Sequence, residues 1–131
     1  MSTIRIVERQ ESHFLEAGQE LLDPSQPADL ATIATHLSTP DAVWSLANNG
    51  DGGAVIELVK ALPPEQQAAV LSAPNAVWGL AYKGQAGAVI NVLKTMRPEQ
   101  RAAVLSARDA VWSLAGKGEG GALMNLLKAM P

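Results

Sequence analysis

"STPDAVWSLANNGDGGAVIELVKALPPEQQAAVL", residues 38–71, is followed directly by "SAPNAVWGLAYKGQAGAVINVLKTMRPEQRAAVL", residues 72–105, and then by "SARDAVWSLAGKGEGGALMNLLKAMP", residues 106–131. The first two lines are identical at 20 of 34 positions, and Trp44, Trp78 and Trp112 recur at that interval. So do Gly50, Gly84 and Gly118, and Lys60, Lys94 and Lys128. A 34-residue period lies in the range of helical repeats, in which a unit that cannot bury its apolar side alone stacks on its neighbours.

Within a unit, Ser38 or Thr39 followed by Pro40 and Asp41 carries the signature of a helix start: a capping hydroxyl, a proline that needs no amide partner, and an acid in the first turn. Helix A then runs to about Asn49. Val43, Leu46, Ala47 and Gly50 follow the i, i+3, i+4, i+7 pattern of one face, echoed by Val77, Leu80 and Ala81 and by Val111, Leu114 and Ala115. Gly50, Gly84 and Gly118 fall where the pattern ends, as expected of residues that take positive φ beyond a helix C-terminus. Helix B follows the turn, with Val55, Leu58, Val59 and Leu62 as its apolar stripe. Pro63-Pro64 and Arg97-Pro98 then interrupt, and "PEQ" before an apolar "AAVL" predicts a short helix C ending at Leu71 and Leu105; a kinked helix B is the alternative.

Residues 1–37 are expected to form an N-terminal helical capping segment. "ERQESHFLEAGQELLD" and "PADLATIATHL" read as a degenerate helix B and helix C, with Phe14, Leu15, Leu21 and Leu22 against the first repeat and the acids facing water. Repeats then occupy 38–71, 72–105 and, truncated, 106–131. The fold class expected is all-α: a right-handed helical-repeat solenoid with two or three short helices per 34-residue unit, forming one continuous domain.

Composition supports this. Hydrophobic residues make up 47% of 131, yet only 4% are aromatic, which favours small interlocking helices over an aromatic-rich sandwich. With no cysteine there is neither a disulfide framework nor a thiolate metal site. The opening "MSTIRIVERQESHF" has no apolar run of signal-peptide length, and no window approaches the roughly 18 apolar residues of a membrane span, so a soluble chain is expected, cytoplasmic or secreted by a signal-independent route. Net charge is −3, concentrated at the start: residues 1–37 hold two Arg against six acids, whereas 38–131 hold eight Lys and Arg against seven acids. The repeats thus lack the basic stripe of a strong phosphate binder.

Catalytic chemistry finds little to build on. His13 and His36 have no Ser, Cys or second His at a suggestive spacing, and there is no phosphate loop, dinucleotide fingerprint, metal-ligand cluster or nucleophile elbow. A non-enzyme without cofactor or metal is expected. The tryptophans, at the edge of the inward stripe, read as a structural ladder between repeats or as an exposed binding ladder. Lys60, Lys94 and Lys128 lie opposite the helix B stripe and read as a solvated face. Positions that vary between matching units gather at the A–B turn: Asn48, Tyr82 and Gly116; Asn49, Lys83 and Lys117; Asp51, Gln85 and Glu119. Turns aligned along one edge of a stacked array form an extended reading surface, with neutral drift as the alternative reading.

Two family resemblances attach to these residues. "LANNGDGGAVIELVKAL", "LAYKGQAGAVINVLKTM" and "LAGKGEGGALMNLLKAM" resemble the helix–turn–helix part of an ankyrin repeat, which implies a protein-binding scaffold; "PPEQQAAVLSAP" departs from the ankyrin β-hairpin finger. "TPDAVWSLANNGDGGAVIELVKALPP" also resembles, without gaps, the 34-residue repeat of TAL effectors and their bacterial TALE-like relatives, in Thr39-Pro40-Asp41, Asn49-Gly50, Glu57, Val59 and Pro64. That second resemblance implies that Asn49, Gly50, Lys83, Gly84, Lys117 and Gly118 face successive bases in a DNA major groove. The family's Lys-Gln after the loop glycines is replaced by Gly53-Ala54, Gly87-Ala88 and Gly121-Ala122, while Asp51 and Glu119 put acid near the phosphate path.

The function expected is therefore a non-catalytic interaction module that binds a protein partner through the inter-helix turn edge and concave face. Asn48, Asn49, Asp51, Tyr82, Lys83, Gln85, Lys117 and Glu119 are its candidate contacts. A divergent TALE-like DNA binder, or a fragment of one, is the alternative, disfavoured by the missing loop basic residues. Self-association through the end of the third repeat is a further one, and no membrane partner is expected.

Overall fold

A computed structural model of the chain describes residues 4–10, 12–107 and 109–129. The protein is mostly helical and carries one small antiparallel sheet: β1 (Ile4–Arg9), β2 (Ser12–Ala17) and β3 (Glu20–Leu22), in the order β1-β2-β3. The sheet corrects the expectation of helix at the N-terminus and, with it, a wholly α fold. Leu15 and Leu22, seven residues apart like successive turns of a helical stripe, face each other across a hairpin in which Ala17 pairs with Glu20 and Leu15 with Leu22. Gly18, at φ +62, lies in the turn. Leu15, Ala17 and Leu22 are buried, Ile4 and Ile6 pack on them from β1, and the opposite face carries Arg5 and Glu16, directly opposed and joined at 2.6 Å. Phe14 and Leu21 are only half-buried, so two of the four apolar residues assigned to the core point away from it.

The second part of the N-terminal segment is helical as expected: α1 spans Pro27–Leu37, with proline in the first turn. Three units follow. The first has α2 (Ala42–Leu46), α3 (Gly52–Ala61) and α4 (Pro64–Leu71); the second α5 (Ala76–Leu80), α6 (Ala86–Lys94) and α7 (Pro98–Leu105); the third α8 (Ala110–Leu114) and α9 (Gly120–Lys128). Helical backbone runs on past Leu46 until Gly50, whose φ of +94° turns the chain into α3; Gly84 (+85°) and Gly118 (+89°) repeat the device. Leu62 and Pro63 are extended, so α4 is a separate helix and not the end of a kinked α3. Gln67 braces that junction: its buried Nε2 donates at 3.0 Å to the Val59 carbonyl, which also accepts from the Leu62 amide at the end of α3.

Equivalent helices pack on one another along the chain: α2 on α5 and α5 on α8, α3 on α6 and α6 on α9, α1 on α4 and α4 on α7. The seam between them is mostly apolar, with Gln67, Gln100 and Ser113 buried among its hydrophobic residues. Val43, Leu46, Ala47, Val55, Leu58, Val59 and Leu62 are all 3% exposed or less, as the helical pattern requires. Ile56 and Ile90, at 2% and 1%, belong to the same seam. Full burial of such a side chain is worth about 1.5–3 kcal/mol, so the seam outweighs the turns as a source of cohesion.

The entry to each A helix differs from the capping scheme. Ser38, Thr39 and Ser106 close the preceding helix instead of opening the next: Ser38 Oγ donates to the Ala34 carbonyl (2.7 Å), Thr39 Oγ1 to that of His36 (2.7 Å), and Ser106 Oγ to that of Ala102 (2.7 Å). The helices are entered through Asp41, Asn75 and Asp109, each at φ +66°, a left-handed conformation that Asp and Asn accept more readily than other non-glycine residues. Asp41 also ties unit to unit, its amide donating to the Pro74 carbonyl (3.3 Å) and its Oδ1 accepting from Asn75 Nδ2 (2.6 Å).

Candidate recognition site: an aromatic column beside the A–B turns

Because α2, α5 and α8 stack in register, one position on each places its ring above the last. Trp44 and Trp78 are nearly parallel, with centroids 5.9 Å apart and planes 12° apart. Tyr82, one helical turn beyond Trp78, leans on it at 5.0 Å and 56°, and Trp112 continues the column at 6.5 Å and 39° from Tyr82. The column is both structural and open. Trp44 and Trp78 are half-buried, whereas Tyr82 and Trp112 are 45% and 63% exposed. Such pairs add about 0.5–1.5 kcal/mol beyond the area they bury.

The column depends on small neighbours. A Cβ at Gly79 would lie 2.8 Å from the Trp44 Cα and 3.0 Å from its Cδ1, closer than real Cβ contacts come, so the approach of α5 to α2 needs glycine where the other units carry Ser45 and Ser113.

Two depressions flank the first pair of rings. One, of about 230 Å³, is lined by Trp44, Asn48, Trp78, Gly79, Tyr82 and Lys83. The other, of about 360 Å³, lies toward the N-terminal ends of the same helices and is lined by Asp41, Trp44, Asn75, Trp78 and Asp109.

The turn residues singled out by their variation divide into two groups. Asn48, Asn49, Tyr82, Lys83 and Lys117 are exposed, as are the turn glycines Gly50, Gly84 and Gly118. Lys117 does not simply project into water: its Nζ stands 4.4 Å above the Tyr82 ring centre, an ammonium held on an aromatic face. Asp51, Gln85 and Glu119 are half-buried. Gln85 lies over Gly52 and Gly53 of the preceding turn, and Glu119 over Gly87, so these two pack turn on turn as much as they offer contacts. Lys60, Lys94 and Lys128 are exposed, and Lys60 has Glu57 at 3.8 Å. His13 lies on β2 with Nε2 3.2 Å from Glu8 Oε2, and His36 lies in the last turn of α1; neither lines the two depressions beside the column.

Asp41, Asn75 and Asp109 form a row beside the column that is not among the candidate contacts read from the sequence. Its signal was present in the 34-residue spacing of an Asp/Asn position three before each tryptophan. Among the described residues no group of three or more His, Asp or Glu is arranged to hold a metal ion, and no helix is long and apolar enough to cross a membrane. No family model matches the chain, and no curated protein or solved structure matches it either.

Proposed function

We propose that the protein is a non-catalytic interaction module, a short right-handed solenoid of 34-residue units that binds a protein partner along the aromatic column and the adjoining A–B turns. The observation that carries this reading is the partial exposure of Tyr82 and Trp112 in a column whose other members are half-buried. Tyr and Trp offer large contact area at low conformational cost and dominate protein interfaces. Asn48, Asn49 and Lys83 stand beside the column to supply polar specificity, with Lys117 held at Tyr82. A partner seated there displaces water from rings already held in place by the seam, so little ordering cost is added on binding.

The test is capture with the full chain and a Tyr82→Ala/Trp112→Ala pair, with Lys60→Ala as the control on the far face. Proteins retained by the parent and the control but lost by the pair, while far-ultraviolet circular dichroism is unchanged, support the reading. Equal capture by all three refutes it.

Two other readings have an observation each. Asn49, Lys83 and Lys117 precede glycines of positive φ at regularly spaced turns, the arrangement that the TALE-like resemblance assigns to base contact. Against it, Lys117 is engaged by Tyr82, Asp51 and Glu119 sit in the same turns, and three units at about 1–3 kcal/mol of base discrimination each need a phosphate-binding platform for useful affinity. Duplex binding with a steep salt slope would favour this reading. The third is self-stacking: Val111, Met124 and Leu127 are 38%, 55% and 41% exposed, although their counterparts Val77, Ile90 and Leu93 are buried to 2% or less. A concentration-dependent mass in light scattering supports it, and a constant monomer mass removes it.

A further inference from the structure

The groove of about 360 Å³ at the N-terminal ends of α2, α5 and α8 combines two features that act on the same kind of ligand. Its lining includes the Trp44 and Trp78 indoles, with the carboxylates of Asp41 and Asp109 on either side of Asn75. An aromatic face attracts a cation within about 6 Å of its centre, and a carboxylate attracts the same cation by charge and hydrogen bonding. The chain already displays half of this pairing farther along the column, where Lys117 Nζ rests 4.4 Å from the Tyr82 centre.

We infer that this groove binds the guanidinium side chains of an extended, arginine-rich peptide, laid against the Trp44 and Trp78 indoles and hydrogen-bonded to Asp41, with the Asp109 carboxylate adding negative charge. The inference rests on the protein-binding reading and names the partner's chemistry. Arginine fits better than lysine: its planar fork presents two parallel N–H groups to one carboxylate while its face lies on an indole. Asp41 Oδ1 accepts a hydrogen bond from Asn75 Nδ2 at 2.6 Å, and a carboxylate has about four acceptor sites, which leaves Oδ2 for a contact with a guanidinium. The groove is at the lower end of ligand-cleft volumes, room for side chains and not for a large cofactor. Its charge also sets it against phosphate, so the same feature that recruits a basic peptide repels a nucleic-acid backbone.

The experiment titrates the full chain, followed by tryptophan fluorescence and calorimetry, with a blocked peptide alternating arginine and glycine. Parallel titrations use the same peptide with citrulline, an uncharged isostere, or with aspartate. The variant is Asp41→Asn/Asp109→Asn. Asparagine at this position is native to the second unit, where Asn75 holds the same φ of +66°, so the change removes charge without requiring a new backbone. Saturable binding of the arginine peptide is expected, weakened at least about tenfold by the double variant and by citrulline, with none for the aspartate peptide.

Equal affinity for the arginine and citrulline peptides overturns the inference while leaving the aromatic face as a binding surface. Undiminished binding by the double variant, or no binding of the arginine peptide at millimolar concentration, also overturns it. In either case, capture that depends on Tyr82 and Trp112 decides separately whether the protein-binding reading stands.

Discussion

Replacing Gly79 with alanine tests whether the close approach of α5 to α2 creates the aromatic column. In an open helix position, glycine to alanine stabilises by about 0.5–1 kcal/mol. At Gly79 the added Cβ would meet the Trp44 Cα at 2.8 Å and its Cβ at 3.2 Å. Backbone cannot swing aside as a flexible side-chain end can, so the helices must separate, and overpacking of this kind costs about 1–3 kcal/mol. Set against that gain, the clash leaves a net loss of up to about 2.5 kcal/mol, or a Tm lower by up to roughly 10 °C for a chain of this length. Because the separation falls on the Trp44–Trp78 pair, the near-ultraviolet dichroism of the stacked indoles should weaken in parallel. Gly116→Ala is the matched control, since nothing lies within 4 Å of a Cβ there, and it should raise Tm. A Gly79→Ala protein as stable as Gly116→Ala, with its indole signal intact, would refute the packing argument.

Other expectations follow from the same geometry. Gly50→Ala meets no atom within 4 Å but must hold φ near +94°, so it should cost about 1–2 kcal/mol in chemical denaturation through backbone strain alone, and a neutral result would contradict the turn assignment. Ile90→Ala, at 1% exposure, should lose about 2–5 kcal/mol, whereas Met124→Ala, at 55% in the equivalent place, should lose under about 1 kcal/mol; equal losses in urea unfolding would mean that the end of the third unit is covered. Arg5 holds the Glu16 carboxyl below its ordinary value of 4.5 by hydrogen bonding. A depressed carboxyl contributes stability above the unfolded value that is lost as pH falls through the folded one, so acid sensitivity below about pH 4.5 should be reduced in Glu16→Gln, and an unchanged acid transition would discount the pair.

The helical units were legible because period, proline and glycine all act locally. The 3.6-residue stripe marked Val43, Leu46, Val55 and Leu58 for burial, and Pro64 and Pro98 marked where the third helix of a unit starts. The N-terminal segment misled because "SHFLEAGQELL" is rich in helix formers and spaces Leu15 and Leu22 as a helix would. Strand pairing overrode that propensity, with β1 supplying Ile4 and Ile6 to cover the sheet's inner face. The alternation of "IRIV" was the available sign, too short to outweigh its neighbours. Ser38 was assigned to the wrong helix because a hydroxyl between two helices can serve either one. Asp41 and Asn75 are residue types that accept a left-handed backbone, but the same residues also suit a first helical turn, and the contacts that accompany the left-handed form, Asp41 N to Pro74 O and Asn75 Nδ2 to Asp41 Oδ1, join units far apart in sequence. For the site, variation pointed to the turns, and the exposed Tyr82 and Lys83 lie there; which ring each tryptophan stacks on depended on the register between helices far apart in sequence.

The most direct test of the proposed recognition surface is to follow the three indole N–H signals and the amides of Gly50, Gly84 and Gly118 by nuclear magnetic resonance, adding in turn the arginine–glycine peptide and a short DNA duplex. Binding along the aromatic column predicts that the Trp44 and Trp78 indoles shift saturably with peptide while the turn glycines stay still with duplex. Shifts confined to the turn glycines on adding DNA, with the indoles unmoved by peptide, would contradict the account.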